Sequence, residues 1–315
     1  MTKKRKIIIG LVIGIPVFLI ALAAVLITLM EPPIPEPVAP IEEKELPADW
    51  LANTGNEEGI QVQTGSETTR GEEKTKPAEP DLPYKSSGML SFLSDGKPFG
   101  TETYELTISE EGAALHSSGY FQFKIVVATI RVTYTQTLNT DHKLKPTDYY
   151  LDFRAPLGFG QEIEAQFSSE SLNLMRNEQT ETISVDPSRL LVLGTFSTYA
   201  LVPALFEARA KNGRSEFDVL ILGGPPRESA PEGGSSNSLS MLTIERVKDV
   251  TLQVGTRAIT VDQYRVTSEM GESTLLGKGK EFLAFIAGDE DESMVVYRSD
   301  YFPTGLPLGP SGSDL

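Results

Sequence analysis

Apolar positions along the chain follow three regimes. Residues 7–30, from Ile7 to Met30, form 24 consecutive positions without a charge. From Glu31 to Tyr84 apolar residues lose almost all periodicity. From about Lys85 to Phe302 the pattern alternates with period two: Thr103, Glu105 and Thr107 interleave with Tyr104, Leu106 and Ile108, as in a strand with one buried face. Asp95-Gly96 marks a hairpin between Met89–Leu93 and that strand. A long extended stretch, Tyr120–Leu138, switches phase from Phe121, Phe123 and Ile125 to Val126, Ile130, Val132 and Tyr134. The switch predicts a bulge or bend in one strand. Further strands are predicted over Asp148–Arg154, Glu162–Phe167, Ser171–Arg176, Thr180–Val185, Glu216–Leu222, Ser240–Val247, Thr251–Val254, Thr256–Thr267, Ser273–Gly277, Glu281–Ala287 and Met294–Arg298. Short turns between them predict a mainly β domain, an antiparallel sandwich, barrel or half-barrel. One segment breaks the rhythm. Thr198–Lys211 places Leu201, Val202, Leu205, Phe206 and Ala208 on one face at helical spacing. It predicts a single helix covering the concave side of the sheet, with Pro203 near its first turn.

As a helix, the uncharged run would extend about 36 Å at about 1.5 Å per residue, enough for a hydrocarbon core of about 30 Å. Lys3, Lys4, Arg5 and Lys6 precede it and Glu31 follows. That asymmetry predicts residues 1–6 as a cytoplasmic stub and 31–315 outside, on a single-pass plasma (inner) membrane anchor. The alternative is a cleaved signal peptide. It fits less well, because Ala21, Ala23 and Ala24 lie within the apolar run and Val25-Leu26-Ile27 continue it.

Residues 31–84 hold nine of the 21 prolines, and 13 acidic against four basic residues. This composition predicts a disordered Pro/Glu-rich linker. Trp50, the only tryptophan, reads either as an incidental aromatic there or as a short docking segment. The β domain is expected over 85–302, with a disordered Gly/Pro/Ser-rich tail over 303–315.

The chain carries 28 Lys+Arg against 44 Asp+Glu, a net charge of −16, with no cysteine and two histidines. Without cysteine there is no disulfide, thiol nucleophile, Cys-based zinc site or lipidated cysteine. The acidic balance argues against a nucleic-acid partner. Gly271–Lys278 resembles a phosphate-binding loop but has five residues between its glycines and lies among strands. Ser94-Asp95-Gly96-Lys97 fits S-x-x-K, yet that chemistry needs Ser and Lys one helical turn apart, and Asp-Gly favours a turn. No G-x-S-x-G elbow occurs, and His116 and His142 read as solvated residues. Gly288–Ser293 is an acidic cluster that reads as a solvated turn. No catalytic residue, metal ligand or cofactor is assigned.

Three features suggest a relationship: the hairpin opening Asp95–Tyr104, the long strand followed by Leu144-Lys145-Pro146-Thr147-Asp148-Tyr149-Tyr150-Leu151, and the mid-chain helix before Phe217-Asp218-Val219-Leu220. Over about residues 88–300 the chain resembles uncharacterised bacterial envelope β-domains. Those are similar in architecture to periplasmic lipoprotein carriers of the Lol type and to mycobacterial glycolipid carriers. The resemblance implies a curved antiparallel half-barrel with helical cover over an apolar cavity, and a lipid or other apolar ligand held there. Tyr120–Val132 and Phe282–Ile286 are apolar on both faces, which suits a cavity on one side or a fully packed two-sided sheet. The candidate liners are Phe121, Phe123, Tyr134, Phe153 and Phe206. The reading is therefore a membrane-anchored, non-enzymatic binding domain. The alternative is a structural protein of the cell envelope that meets a protein partner through its surface, with no cavity.

Overall fold

A computed structural model of the chain describes residues 31–51, 83–125, 128–222, 239–269, 271–288 and 293–307. The described residues form fifteen strands. They are β1 (Tyr84–Ser94), β2 (Lys97–Ile108), β3 (Ala113–Ile125), β4 (Ala128–Thr140), β5 (Pro146–Arg154), β6 (Gly160–Phe167), β7 (Ser171–Arg176), β8 (Gln179–Ser184), β9 (Leu190–Leu193), β10 (Arg214–Ile221), β11 (Ser240–Val254), β12 (Arg257–Ser268), β13 (Gly271–Lys278), β14 (Glu281–Gly288) and β15 (Ser293–Arg298). They make one sheet in the order β8-β7-β6-β5-β4-β3-β2-β1-β15-β14-β13-β12-β11-β10-β9. β8 and β9 form its two edges, so the sheet is not closed. Every neighbouring pair is antiparallel except β9–β10. A 15-strand sheet with native twist cannot stay flat, and this one curls around a shared interior.

The interior is built by the inward phase of each strand. Leu90, Phe92, Leu106, Leu115, Leu138, Leu151, Ile163, Leu174, Phe217, Ile244, Phe282 and Val296 belong to one buried cluster. A 3-10 turn, Phe196–Leu201, and helix α1 (Val202–Arg209) fill the concave side and touch β2, β9, β10 and β14. The single helix of the sequence reading is thus present, but it starts as 3-10 structure and is short. Pro203 sits in the first turn of α1, where its missing N–H costs nothing. The outer face has a smaller cluster around Leu252, Ile259, Val261, Leu276, Leu283 and Tyr297.

Three expectations need correction. Tyr120–Leu138 is not one bent strand: Ile125 pairs with Ala128, so β3 and β4 form a hairpin, and the phase switch is a chain reversal. Residues 31–84 are not an unbroken disordered linker. Residues 31–51 form a strap packed on the outer face. Its contacts are Glu31–Arg131 (3.2 Å), the Glu36 carbonyl accepting from Ser118 Oγ (2.7 Å), Val38 N–H to Thr103 Oγ1 (3.3 Å), Lys44–Asp300, and a bridge from Leu51 to Ile259. Trp50 ends the strap buried in the outer cluster, 5.2 Å from the Tyr301 ring. Apolar anchors and backbone partners offset the entropy that composition alone leaves uncompensated. Finally, in the tail, Leu306 packs on the same outer cluster. The predicted anchor (7–30), the rest of the linker (52–82), the acidic run 289–292 and residues 308–315 lie outside the described residues. Among the described residues no helix is long and apolar enough to cross a membrane.

Two chemical motifs resolve into ordinary strand geometry. Asp95 and Gly96 both have positive φ (51° and 71°), the signature of a type I′ hairpin turn, so Ser94 and Lys97 pair across β1–β2 instead of sharing a helical face. Gly271–Lys278 is β13, paired on both sides, instead of a loop opening onto a helix.

Candidate ligand cavity

The upper ends of the strands splay around a cavity of about 710 Å³. Its lining is contributed from two flanks. Phe121, Tyr134 and Phe153 come from β3–β5, with Phe99 from β2. Val219, Leu242, Val266 and Phe285 come from β10–β14. Phe196 and Tyr199, on the 3-10 turn, stand between the flanks. The aromatics interlock: Tyr134 and Phe153 meet edge-on at 5.7 Å, Phe121 lies 6.3 Å from Phe153, and Tyr199 stacks on Phe285 at 4.3 Å. Such contacts fix the walls, because aromatic pairs have preferred geometries beyond simple burial.

Below the cavity lies a polar layer. Glu102 on β2 is 1 % exposed. Its carboxylate accepts from Thr195 Oγ1 (2.5 Å) and from the Ser197 N–H (2.9 Å). Gln136 on β4 uses all its capacity: Oε1 accepts from Tyr149 Oη (3.0 Å) and the Thr195 N–H (2.9 Å), while Nε2 donates to Ser197 Oγ (3.1 Å) and Ser117 Oγ (3.4 Å). These bonds pin the 194–197 turn to the facing strands. Gly194 permits the approach, since a Cβ there would lie 1.7 Å from Tyr149 Oη. Desolvation pushes the Glu102 carboxyl above the ordinary carboxylate range, against the pull of its hydroxyl and N–H donors. Burial, then the neighbouring Glu102, drives the Tyr134 and Tyr149 hydroxyls well above their usual range. The Tyr134 hydroxyl is buried without a hydrogen bond. Burial lifts Tyr199 to about 12. The tyrosines of the walls therefore stay neutral at physiological pH, Glu272 of β13 lines the mouth while paired with Arg265 (3.2 Å), and Glu102 lies beneath, out of the lining.

At the opposite end the interior closes on Arg298, fully buried and held by Asp300 (2.6 Å), Glu281 and the Tyr104 hydroxyl (2.7 Å). Arg298, Asp300 and Glu281 are paired with one another, as buried charge requires. Among the described residues no group of His, Asp and Glu is arranged to hold a metal. His116 is exposed on β3 with its Nδ1 at 3.2 Å from Thr137 Oγ1, and His142 is exposed in the β4–β5 turn. Neither touches the cavity.

Of the five residues singled out from sequence, the structure gathers Phe121, Tyr134 and Phe153 in the cavity wall. Phe123 points away, 47 % exposed on the β3–β4 hairpin. Phe206 sits in the packed core against Tyr264, at 4.9 Å. Sequence reasoning missed Phe99, Phe196, Tyr199 and Phe285. Phe99 and Phe285 sit close to strand ends, and which end of each strand meets the opening is set by pairing order, a property of the whole sheet.

No protein family and no curated protein matches the sequence. Among solved structures, the chain is similar to the following two. One is a beta-barrel-like protein of a domain of unknown function, DUF1849, from Brucella abortus: 10% identity over 68% of this chain and 95% of that one, TM-score 0.44. The other is a DUF1089 family protein from Pseudomonas aeruginosa: 10% identity over 73% and 97%, TM-score 0.38.

Proposed function

We propose that the chain is a membrane-anchored β-domain that holds an apolar, lipid-like ligand in the cavity at the open end of its sheet. The observation that carries this reading is the cavity itself. Its volume lies within the roughly 300–1,000 Å³ of small-molecule sites, and its walls are aromatic and aliphatic with few polar groups, as such sites require. The anchor is residues 7–30, with the folded part on the outer side of the plasma membrane, supported by the uncharged run and the basic residues before it. The resemblance to Lol-type carriers agrees with this use of a curled sheet.

Photolabelling tests it. The full chain in lipid discs is exposed to a long-chain alcohol bearing a diazirine, photolysed, and its adducts mapped by mass spectrometry. Adducts on Phe121, Tyr134, Phe153 and Tyr199, reduced by filling the space with Ala287→Trp, are the expected result. Adducts confined to residues 7–30 would overturn the assignment.

A further inference from the structure

The cavity opens at one end of the sheet, and that end differs from the other by its exposed apolar side chains. At the far end the connections are polar: Ser109–Gly112 with two glutamates, Asp141–Lys145, Ser168–Glu170, Val185–Arg189, Ala210–Gly213, Gly255-Thr256 and Gly279-Lys280. The cavity end also has polar connections, Asp95-Gly96, Asn177-Glu178, Glu269 and, in sequence, the acidic run 289–292, but there large apolar side chains stand in solvent as well. Phe159 is 70 % exposed and Leu157 47 %, both in the β5–β6 turn. Phe123 near the β3–β4 tip, Met241 at the start of β11 (55 %) and Ile221 at the end of β10 are also exposed. Scattered exposed hydrophobics need no explanation, but a set gathered at one end, around the mouth of an apolar cavity, marks a contact surface. Ile221 belongs to both the rim and the lining.

The chain itself names the occupant. The strap begins at this same end: Glu31 pairs with Arg131 near the start of β4, and Pro32 and Pro33 lie in a cleft with Phe153, Arg154 and Phe159. It then descends the outer face past Ser118, Thr103 and Ser87 to Trp50 and Leu51, beside Ile259 at the far end. Glu31 is the residue directly after the apolar run 7–30. The domain therefore has no slack between its last packed contact and Met30. We infer that the cavity end docks on the bilayer that holds residues 7–30, so that the mouth opens onto lipid and the ligand exchanges with the membrane without crossing water. This rests on the anchored, apolar-ligand reading above. The net charge of −16 makes a zwitterionic surface the suitable partner, with apolar insertion supplying the attachment.

The absence of cysteine permits a direct test. Single cysteines replace Phe159, Phe123 or, at the opposite end, Lys143 in the full chain. Each is labelled with an environment-sensitive fluorophore and reconstituted in phosphatidylcholine vesicles carrying nitroxide on the acyl chains. Trp50 emission reports that each variant is folded. Docking predicts loss of fluorescence at 159 and 123 with no loss at 143. Labels at 159 and 123 as bright as that at 143 overturn it. So does efficient 159–159 disulfide formation in the unlabelled cysteine variant under an added oxidant, which would show a second protomer covering this end. Photolabelling in the same vesicles separates the two claims. Cavity adducts with unquenched labels remove the docking and leave the ligand reading; quenched labels without cavity adducts support the docking and remove the ligand reading.

Discussion

Glu102 carries a cost that depends on pH. Its folded-state carboxyl is held above the ordinary value, chiefly by desolvation. A group shifted in that direction contributes stability below its unfolded pKa, about 4.3 for Glu, and that contribution is lost as pH rises through the folded value. Glu102→Gln keeps an oxygen acceptor for the Ser197 N–H and removes the titration. Its Tm relative to wild type is expected to rise between pH 5 and 8. A constant difference across that range would show that the carboxylate bears no such penalty. Gly194 is constrained for a different reason. Space beside Tyr149 and Gln136 admits no side chain there. Gly194→Ala should destabilise by about 1–3 kcal/mol, the cost of overpacking a filled interior. Denaturant melts that match wild type would sink that account. Neither role was legible in sequence. Glu102 stood in the buried phase of a well-read strand, flanked by Thr101 and Thr103. A polar residue in that phase signals a partner, but the partner lies 93 positions away at Thr195.

The strap shows how an element can escape composition. Its prolines and glutamates say disorder, yet only a few side chains had to find seats: Ala39 and Trp50 are buried, and Leu46 packs on the outer cluster that holds Trp50. Trp50 is only 8 % exposed. Trp50→Ala is therefore expected to cost about 3 kcal/mol, the lower end for emptying a large buried aromatic, and to expose residues 31–51 to faster hydrogen exchange. Unchanged exchange across the strap would mean that its other contacts suffice. The β strands were far easier to read, because alternation survives in a sheet with one dry face. Two failures have clear causes. The β3–β4 reversal carries no Gly, Pro or Asn, so nothing marked it as a turn. β9 is four residues long, Leu190–Leu193, and parallel to β10, so it reads as a plain apolar run. The predicted helix was found, but its opening as a 3-10 turn, held by Thr195 and Glu102, depends on long-range bonds.

Across the whole molecule the cavity sits between two halves of one sheet that do not hydrogen-bond at their free edges, β8 and β9. One wall belongs to the chain before residue 160, the other to the chain after residue 218, with Phe196 and Tyr199 between them. A ligand filling that space touches both walls and so acts as a strut across an open structure. Two consequences follow from linkage. At a hundredfold excess over Kd, a ligand bound only by the folded state adds about 2.7 kcal/mol. For domains of about 150–250 residues that corresponds to roughly 2–4 °C of Tm per kcal/mol. Hexadecanol added to the full chain in lipid discs should therefore raise Tm by several degrees, and Ala287→Trp should abolish the rise. The second consequence is spatial. Protection from hydrogen exchange should increase together in β3–β5 and in β10–β14, because neither wall can hold the chain without the other. Protection confined to one wall would mean that the alcohol lies on a surface, and that the space between the two halves is left unfilled.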